Sequence, residues 1–332
     1  MSFIEKFKSS RRGYYSLWIF TIISLLSIFA EFIANDKPIV VISPGKIYFP
    51  IFKAYTELDF GGELPTKINY QDKYMQELMA QHGAKIIWPL IRFSYNTIYY
   101  DLGVPAPSPP SSVHWLGTDD SGRDVAAWVI YSLRISIFFA ISLAILTVII
   151  ALFVGTIQGY FGGLIDLFMQ RIVEIWHSLP IMFLLIILSS VTAPNFWWLL
   201  VIFLLFNWVY LSQLVRAEVL KVRKLDYIKA AKALGAPPAT IIARHIIPSA
   251  MVSVFAFFPF LMSNAIVTLT SLDFLGFGLP PGSPSLGALL AQTKANLHAP
   301  WLGVTAFSAI AMLLLLLLFI GEALRDAFLI KS

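Results

Sequence analysis

Four side chains that could bind a metal or exchange a proton stand close together in the stretch HWLGTDDSGRD: His114, Asp119, Asp120 and Asp124. Such a group could hold a metal ion or carry out acid and base catalysis. The same stretch is rich in Asp, Ser and Gly, which form turns and cap helices by accepting hydrogen bonds from nearby backbone N–H groups. It leads directly into a long apolar run, so we interpret these residues as local turn-forming and capping groups.

Other kinds of chemistry lack their residues altogether. The 332-residue chain has no cysteine, which excludes disulfides, thiolate metal sites and cysteine nucleophiles, and its five histidines show no metal-ligand spacing. Nothing matches the phosphate-binding pattern G-x-x-x-x-G-K-[ST], a nucleophile elbow or a zinc helix motif. We therefore expect no enzyme activity and no cofactor, and any ATP that drives this protein is hydrolysed on another chain.

The composition is that of an integral membrane protein. Hydrophobic residues make up 58% of the chain and charged residues only 13%, whereas a soluble domain carries about 25% charged residues. Apolar runs long enough to cross a bilayer as helices recur along the chain. We predict an all-α polytopic membrane protein with six transmembrane helices, at about Tyr15–Ala34, Leu133–Ile157, Ile172–Val191, Trp197–Val215, Ser249–Leu272 and Leu302–Ile320.

The first apolar run follows a basic N-terminus with Lys6, Lys8, Arg11 and Arg12. A signal peptide is the alternative. The run is about twenty residues long and no clear small-residue cleavage site follows it, so we expect an uncleaved span with its N-terminus in the cytoplasm. Residues 1–34 would then be the cytoplasmic N-terminus and first helix.

Residues 35–131 form a polar segment that is rich in Tyr, Pro and Gly and that we place outside the cytoplasm. Short strands are expected within Lys46–Tyr55 and Ile86–Tyr100, where Pro50 and Pro89 restrict pairing. The stretch Ala106–Ser112 reads as an extended linker. A passive cover over the membrane domain and a docking surface for a partner both remain open for this segment.

The stretch Asp226–Pro248, called the basic segment below, lies between two of the apolar runs. The loop around it, at residues 216–248, contains Arg216, Lys221, Arg223, Lys224, Lys229, Lys232 and Arg244. The turn Thr192–Phe196 has no Lys or Arg, and Asp273–Trp301 has only Lys294. Because basic loops stay in the cytoplasm, the basic segment and both termini are predicted to be cytoplasmic, including residues 326–332.

Helical periodicity predicts two short helices in the basic segment. Asp226, Lys229 and Lys232 lie off the apolar face of the first helix, which is formed by Tyr227, Ala230, Ala231 and Leu234. Gly235 should end this helix. Pro237 and Pro238 suit the first turn of a second helix carrying Ile241, Ile242 and Ile246, and Pro248 is expected to close it.

Three roles are open for such a helix-turn-helix. It could read DNA, but its second helix offers mostly Ala and Ile where base-reading side chains are needed, and it runs straight into a membrane span. It could serve only to set topology. We favour insertion into a cleft of another protein, because small alanines and a tight glycine turn allow close approach.

The basic segment resembles the EAA loop of binding-protein-dependent ABC importer permeases. The matching positions are Ala230, Ala231, Gly235 and Pro248. The chain departs from the general pattern at Lys229, His245 and Ile247, but its ending Arg244–Pro248 is similar to the form found in peptide importers. The resemblance implies that Asp226, Tyr227, Ala230, Ala231, Leu234, Gly235 and Pro248 couple the protein to an ATPase.

Over nearly its whole length the chain resembles the C-type permeases of oligopeptide and dipeptide ABC importers, and more narrowly the YejE-like branch linked to oligopeptide and microcin C uptake. The narrower likeness rests on Ile33–Pro38, Asp59–Gly62, Pro194–Leu200, Thr268–Gly287 and Ala299–Phe307. It implies a type I importer (MetI-like) transmembrane domain at residues 132–325, in a bacterial inner membrane.

The same resemblance implies partners: a second, B-type permease, one or two ABC ATPase chains that bind the ATP, a periplasmic peptide-binding protein and membrane lipid, with no nucleic acid. Glutathione or a metal chelate is an alternative cargo. A secondary transporter is the alternative outside this class, but no inverted repeat and no chain of buried acids is visible. Pro180 and Pro259 predict helix kinks, Asn264 is a candidate contact between helices, and Glu174 beside Arg171 suits a helix-end pair.

Overall fold

The computed structural model describes residues 3–62, 64–100, 102–191 and 195–329. It divides into two compact units, one made of residues 1–21, 136–281 and 311–332 and the other of residues 22–135 and 282–310. Three predicted stretches extend beyond the described residues: the turn Thr192–Phe196, the stretch Pro194–Leu200 and the C-terminal residues 326–332.

Helices dominate the chain. Their bounds are Phe3–Ser9 (α1), Arg11–Ile28 (α2), Ala30–Ile33 (α3), Lys73–Gln81 (α4), Val125–Phe161 (α5), Gly163–His177 (α6), Ile181–Val191 (α7), Phe196–Val222 (α8), Asp226–Ala233 (α9), Pro238–Ile241 (α10), Ile247–Phe274 (α11), Leu286–Ala295 (α12) and Pro300–Leu329 (α13). A 3₁₀ helix spans Glu57–Phe60 and a π-helical turn spans Ile242–Ile246.

Four helical stretches among the described residues are long and apolar enough to cross a membrane: Val125–Phe161, Phe196–Val222, Pro238–Phe274 and Pro300–Phe328. A bent pair, α6 with Ile181–Leu188, makes a fifth if it counts as one span. The predicted second, fourth, fifth and sixth spans each lie inside one of the four. The predicted first span coincides with α2 and α3. These helices are not among the four long apolar stretches, because Arg11 and Arg12 open α2 and α2 ends at Ile28.

The kink predicted at Pro180 in the third span is confirmed. The chain breaks between His177 and Ile181, and the two halves meet at an angle of 71°. Proline at position 180 explains the break, since it lacks an N–H and disfavours helical geometry in the residue before it. Its carbonyl still accepts a bond from the Leu184 N–H at 3.2 Å, so α7 starts at once.

Pro259, by contrast, lies inside α11 without interrupting it. The predicted contact of Asn264 is confirmed: its Nδ2 donates to Oδ1 of Asn207 on α8 at 3.1 Å. The predicted helix-end pair is confirmed as well, with Arg171 Nη1 and Glu174 Oε2 2.6 Å apart.

The segment 35–131 contains a small antiparallel sheet, so "all-α" holds only for the membrane part of the chain. Its strands are Val40–Ser43 (β1), Lys46–Tyr48 (β2) and Lys85–Ile87 (β3), in the order β2-β1-β3. Val41 pairs with Tyr48 on one side and Ile86 on the other. Strands β2 and β3 stop before Pro50 and Pro89, as the missing proline N–H requires.

The predicted linker Ala106–Ser112 is not a free spacer. Ser108 is buried, its N–H donates to Oγ1 of Thr118 at 2.8 Å, and its carbonyl accepts from the Thr118 N–H at 2.9 Å. Hydrogen bonding in both directions docks this stretch against the loop that follows it, because buried backbone groups need partners.

The loop 114–124 forms turns and a helix cap, as predicted. Asp119 Oδ1 accepts from the N–H groups of Ser121 and Arg123, and Asp124 Oδ1 accepts from the Ala127 N–H at 2.8 Å and caps α5. Asp124 also bonds Nδ1 of His114 at 2.8 Å. Among the described residues, no group of three or more potential ligands could hold a metal ion.

Candidate functional site

The basic segment folds as a short helix, a glycine turn and a second helix. Helix α9 spans Asp226–Ala233, Leu234 caps its end, and Gly235 adopts a φ of +79°. The Gly235 N–H donates to the Lys232 carbonyl at 3.0 Å. Glycine carries this left-handed conformation without steric cost, so the predicted end of the helix is confirmed.

The second helix starts as predicted but does not end where predicted. Pro238 occupies its first turn. Pro248, however, does not close it, because the helix continues through a π-helical turn, Ile242–Ile246, into α11. In that turn the Ile247 N–H donates to the Ile242 carbonyl, one residue further back than in an α-helix. The wider turn accommodates proline at the start of the next helical segment.

One side chain anchors α9 to the rest of its unit. Ile228 is fully buried and packs in an apolar cluster with Val219, Val222, Ile241 and Ile246. Burying an isoleucine stabilises by about 1.5–3 kcal/mol, so this contact holds the short helix in place. Ile228 is not part of the predicted apolar face, because its position one residue after Tyr227 puts it on a different face of the helix.

The residues predicted to contact a partner lie mostly on the outer side of α9. Tyr227, Ala230 and Leu234 are exposed, and Leu234, at 88%, is among the most exposed apolar side chains of the described chain. Ala231 is the exception, because it is half-buried against the Ile228 cluster. The tip of the basic segment therefore presents a small apolar surface, followed by Gly235, where an added Cβ would meet no other atom within 4 Å.

Charged residues surround this surface. Asp226 Oδ1 lies 3.0 Å from Nζ of Lys229, and Nζ of Lys232 lies 4.7 Å from the centre of the Tyr160 ring at the end of α5. Tyr227 also packs edge-on against His245 with ring centres 5.9 Å apart. Pro248 is also exposed, but it lies in the first turn of α11, more than three helical turns after Gly235.

The base of the basic segment is the end of α8 that leads into it. Close packing of α5 on α8 holds this base in place. A Cβ on Gly155 would lie 2.5 Å from the Ser212 carbonyl oxygen, and one on Gly159 would lie 2.6 Å from Cβ of Val219. Only glycine permits this approach, as in other small-xxx-small helix contacts. The spacing Gly-x-x-x-Gly is visible in the sequence and could have identified this contact.

Two arginines complete the base. Nε and Nη2 of Arg216 donate to both carboxylate oxygens of Asp166 at 2.6 and 2.7 Å, a bidentate pair that ties α8 to α6. Nη1 of Arg223 donates to the carbonyl of Gly159 at 2.9 Å in the last turn of α5. A cation suits this place, because the last carbonyls of a helix lack backbone partners. From the sequence alone, both arginines indicate only the orientation of their loop.

Comparison with protein families gives a match over most of the membrane part. The model of the family described as "Binding-protein-dependent transport system inner membrane component" matches residues 147–329, which include the basic segment and the glycine contact.

Two relatives match almost the whole chain. The inner membrane ABC transporter permease protein YejE of Escherichia coli (strain K12) is 52% identical, over 97% of this chain and 94% of its own. The peptidoglycan transport system permease protein YejE of Agrobacterium fabrum is 46% identical, over 98% of this chain and 91% of its own. More distant relatives include putative peptide permeases and oligopeptide transport system permeases.

Among solved structures, the chain is similar to an inward-facing MetNI methionine ABC transporter, with a TM-score of 0.51 and 18% identity. The likeness covers 60% of this chain and 96% of that one. At this identity it bears on the fold alone, and the fold is that of a helical, MetI-like ABC transporter membrane subunit.

Proposed function

Because the chain belongs to the family of binding-protein-dependent transport system inner membrane components, we propose that it is a permease subunit of an ATP-driven peptide importer in a bacterial inner membrane. It is a non-enzymatic membrane subunit. A B-type permease completes the translocation pathway, one or two ATPase chains bind and hydrolyse ATP, and a periplasmic binding protein delivers the peptide.

One observation most directly supports a role of α9 in coupling the ATPase to the membrane helices. Helix α9 is anchored by Ile228 on one side and exposes Tyr227, Ala230 and Leu234 on the other. A short helix fixed at its base transmits force, whereas a loose loop would absorb it. The Arg216–Asp166 pair and the Gly155–Ser212 approach connect that base to α5, α6 and α8. A displacement of the tip is therefore passed to the membrane helices.

The mechanism follows from this connection. ATP binding brings the two ATPases together, and each ATPase pulls on the helix inserted into it, which in this chain is α9. The permease helices then turn the pathway outward, and hydrolysis with release of the nucleotides turns it back. Such a cycle needs only two packed arrangements of the helices and a ligand that binds one of them better.

We further propose that α2 with α3 forms the first of six spans, that the bent pair α6 and α7 forms the third, and that both termini and the basic segment lie in the cytoplasm. The Lys and Arg residues of the loop 216–248 support this orientation. Residues 35–131 then lie in the periplasm, where a binding protein docks.

Peptides are the proposed cargo class. The names of the relatives refer to peptide, oligopeptide and peptidoglycan transport, so short peptides, cell-wall peptides and microcin C-like peptides all belong to the class we propose. Side-chain selection falls largely to the binding protein.

The test is uptake of a radiolabelled oligopeptide by proteoliposomes that contain the complete importer purified with this chain. We expect uptake that requires ATP and binding protein and that is unchanged when a protonophore collapses the proton gradient. Uptake driven by a proton gradient without ATP would instead identify a secondary transporter.

A further inference from the structure

The segment 35–131 carries a short turn with an exposed aromatic tip. The turn covers residues 49–53 and is called the aromatic turn below. It is closed by the N–H groups of Phe52 and Lys53, which both donate to the Phe49 carbonyl at 3.1 Å. Phe52 is 75% exposed, and Phe49 is exposed as well. Because a phenylalanine side chain gains free energy when it leaves water, this tip favours an apolar neighbour.

The aromatic turn lies beside the end of the first proposed span. The ring centre of Phe52 is 5.8 Å from that of Phe32 in α3, and the ring centre of Phe32 is 6.2 Å from that of Phe29. Phe29 is exposed, and so is Ile28 at the end of α2. The aromatic turn therefore extends the exposed apolar surface of the first span.

Two features indicate that the outer boundary of the bilayer lies at this level. Helix α3 ends at Ile33. One residue before Phe32, Glu31 accepts a hydrogen bond from Arg134 of α5 at 2.6 Å, and both side chains are partly exposed. Ion pairs suit the edge of the hydrocarbon layer better than its interior. Because Phe52 packs against Phe32, it stands at the level of the lipid headgroups, where aromatic side chains are common.

The small sheet adds a second apolar surface. Ile42 and Ile47 are direct cross-strand partners, Ile87 shares their side of the sheet, and all three are exposed. The opposite side carries Val41, which is fully buried. An antiparallel sheet with one face on a core normally turns polar residues outward. This sheet turns isoleucines outward, so its exposed face suits an apolar environment.

The exposed face of the sheet is also close to the end of the first span. The Ile91 N–H donates to the Ile33 carbonyl at 2.8 Å, and β3 ends at Ile87, four residues before Ile91. Four residues of chain span at most about 14 Å. The aromatic turn and the face of the sheet therefore lie within reach of the same membrane boundary.

The charged residues of these surfaces are basic. Residues 37–56, which contain β1, β2 and the aromatic turn, include Lys37, Lys46 and Lys53 and neither Asp nor Glu. Lys85 is exposed and stands opposite Ile42 in the sheet. Lysine lays its methylene groups along apolar surface and keeps its ammonium group in water, where an anionic headgroup attracts it. Apolar side chains with lysines beside them match a bilayer surface that contains anionic phospholipid.

We propose that the aromatic turn and the exposed face of the sheet lie on the outer leaflet of the bilayer and bind its anionic phospholipids. The segment 35–131 is then fixed to the membrane surface beside the first span. The proposal rests on the proposed topology, in which α2 with α3 is a span and residues 35–131 lie outside the cytoplasm. A membrane fits better than a soluble binding protein, because Phe52 packs on the last turn of a span, where headgroups limit the approach of a folded protein.

The first arm of the test measures proximity to lipid. Because this chain has no cysteine, an importer whose other subunits lack cysteine can carry one NBD fluorophore at Ile47→Cys, Phe52→Cys or Tyr74→Cys. Tyr74 is the matched control: it is 57% exposed against 60% for Ile47, but it lies on α4, which packs on the opposite side of the sheet through Met75 and Met79. In nanodiscs with anionic phospholipid, nitroxide on the lipid headgroup should quench positions 47 and 52 about threefold more than position 74, because only they lie at the headgroups.

The lipid mixture tests the role of charge. Replacing the anionic phospholipid with a zwitterionic one should lower quenching at positions 47 and 52 about twofold and leave it unchanged at position 74, since the lysines lose their attraction to the surface. Equal quenching at all three positions would overturn the proposal. Equal quenching of positions 47 and 52 in both lipid mixtures would overturn it as well.

The second arm identifies what position 52 touches. The photoreactive residue p-benzoylphenylalanine replaces Phe52 or, as the control, Tyr74, and is activated in membranes that import peptide with ATP. Mass spectrometry should show this chain with one phospholipid attached at position 52 and none at position 74. Absence of the lipid adduct at position 52, or a protein adduct in its place, would overturn the lipid surface alone.

A last control separates this surface from the proposed topology. A thiol reagent that cannot cross membranes should label Tyr74→Cys from the periplasmic side of spheroplasts. Labelling only after the cytoplasmic side is opened would overturn the proposed topology and the lipid surface with it.

Discussion

The substitution Gly235→Asp should reduce peptide uptake roughly a hundredfold while the protein still accumulates in the membrane; a hundredfold loss corresponds to about 2.8 kcal/mol of lost coupling. Gly235 stands at the exposed tip of the basic segment, where a Cβ would meet no other atom of the chain within 4 Å. The folded chain therefore accommodates the new side chain. A partner that closes around the tip does not, because burying a carboxylate costs free energy that glycine does not incur.

Backbone strain alone cannot explain such a loss, and the chain offers a control for it. Gly45 has nearly the same conformation, a φ of +85° against +79°, and its Cβ would also meet nothing within 4 Å. Gly45→Asp thus carries the same strain, about 1–2 kcal/mol, and the same charge, in the segment 35–131. We expect it to retain uptake close to normal. Comparable losses in both variants would mean that the tip has no special role.

The substitution Gly155→Ala should destabilise the membrane part of the protein, although alanine is the better helix former. Its Cβ would lie 2.5 Å from the Ser212 carbonyl oxygen and 2.8 Å from Cβ of Val215, so α5 and α8 would have to move apart. Overpacking of this kind costs about 1–3 kcal/mol and outweighs the gain of about 1 kcal/mol in helix propensity. The measurement is the unfolding temperature of the purified complex in detergent.

Gly303→Ala is the matched control on α13. There the nearest atom to a new Cβ is a methyl group of Thr293 at 3.0 Å, the end of a side chain rather than backbone. This variant should leave the unfolding temperature unchanged or raise it slightly. If the Gly155→Ala and Gly303→Ala variants had the same unfolding temperature, the close approach of α5 and α8 would not support the base of the basic segment.

Local chemistry determined what could be predicted from the sequence. The turn at Gly235 and the helix start at Pro238 follow from backbone preferences of the residues themselves, and both were predicted correctly. The long apolar helices follow from composition. The end at Pro248 was predicted wrongly, because a proline can stand in the first turn of a continuing helix when a π-helical turn precedes it.

Features that depend on contacts between distant residues were missed. Ile228 is an anchor only because Val219 and Ile241 meet it in space. Periodicity places a residue on a face, but it does not say what that face will touch.

The most direct test of the account asks what touches the tip of the basic segment. Because the chain has no cysteine, a single Leu234→Cys can carry a benzophenone maleimide, with Leu297→Cys, 81% exposed against 88%, as the control. After illumination of native membranes, the cross-linked product is purified through a tag on this chain and identified by mass spectrometry. We predict that position 234 captures a P-loop ATPase and position 297 does not. Capture of the ATPase at neither position, in membranes that still import peptide with ATP, would contradict the account.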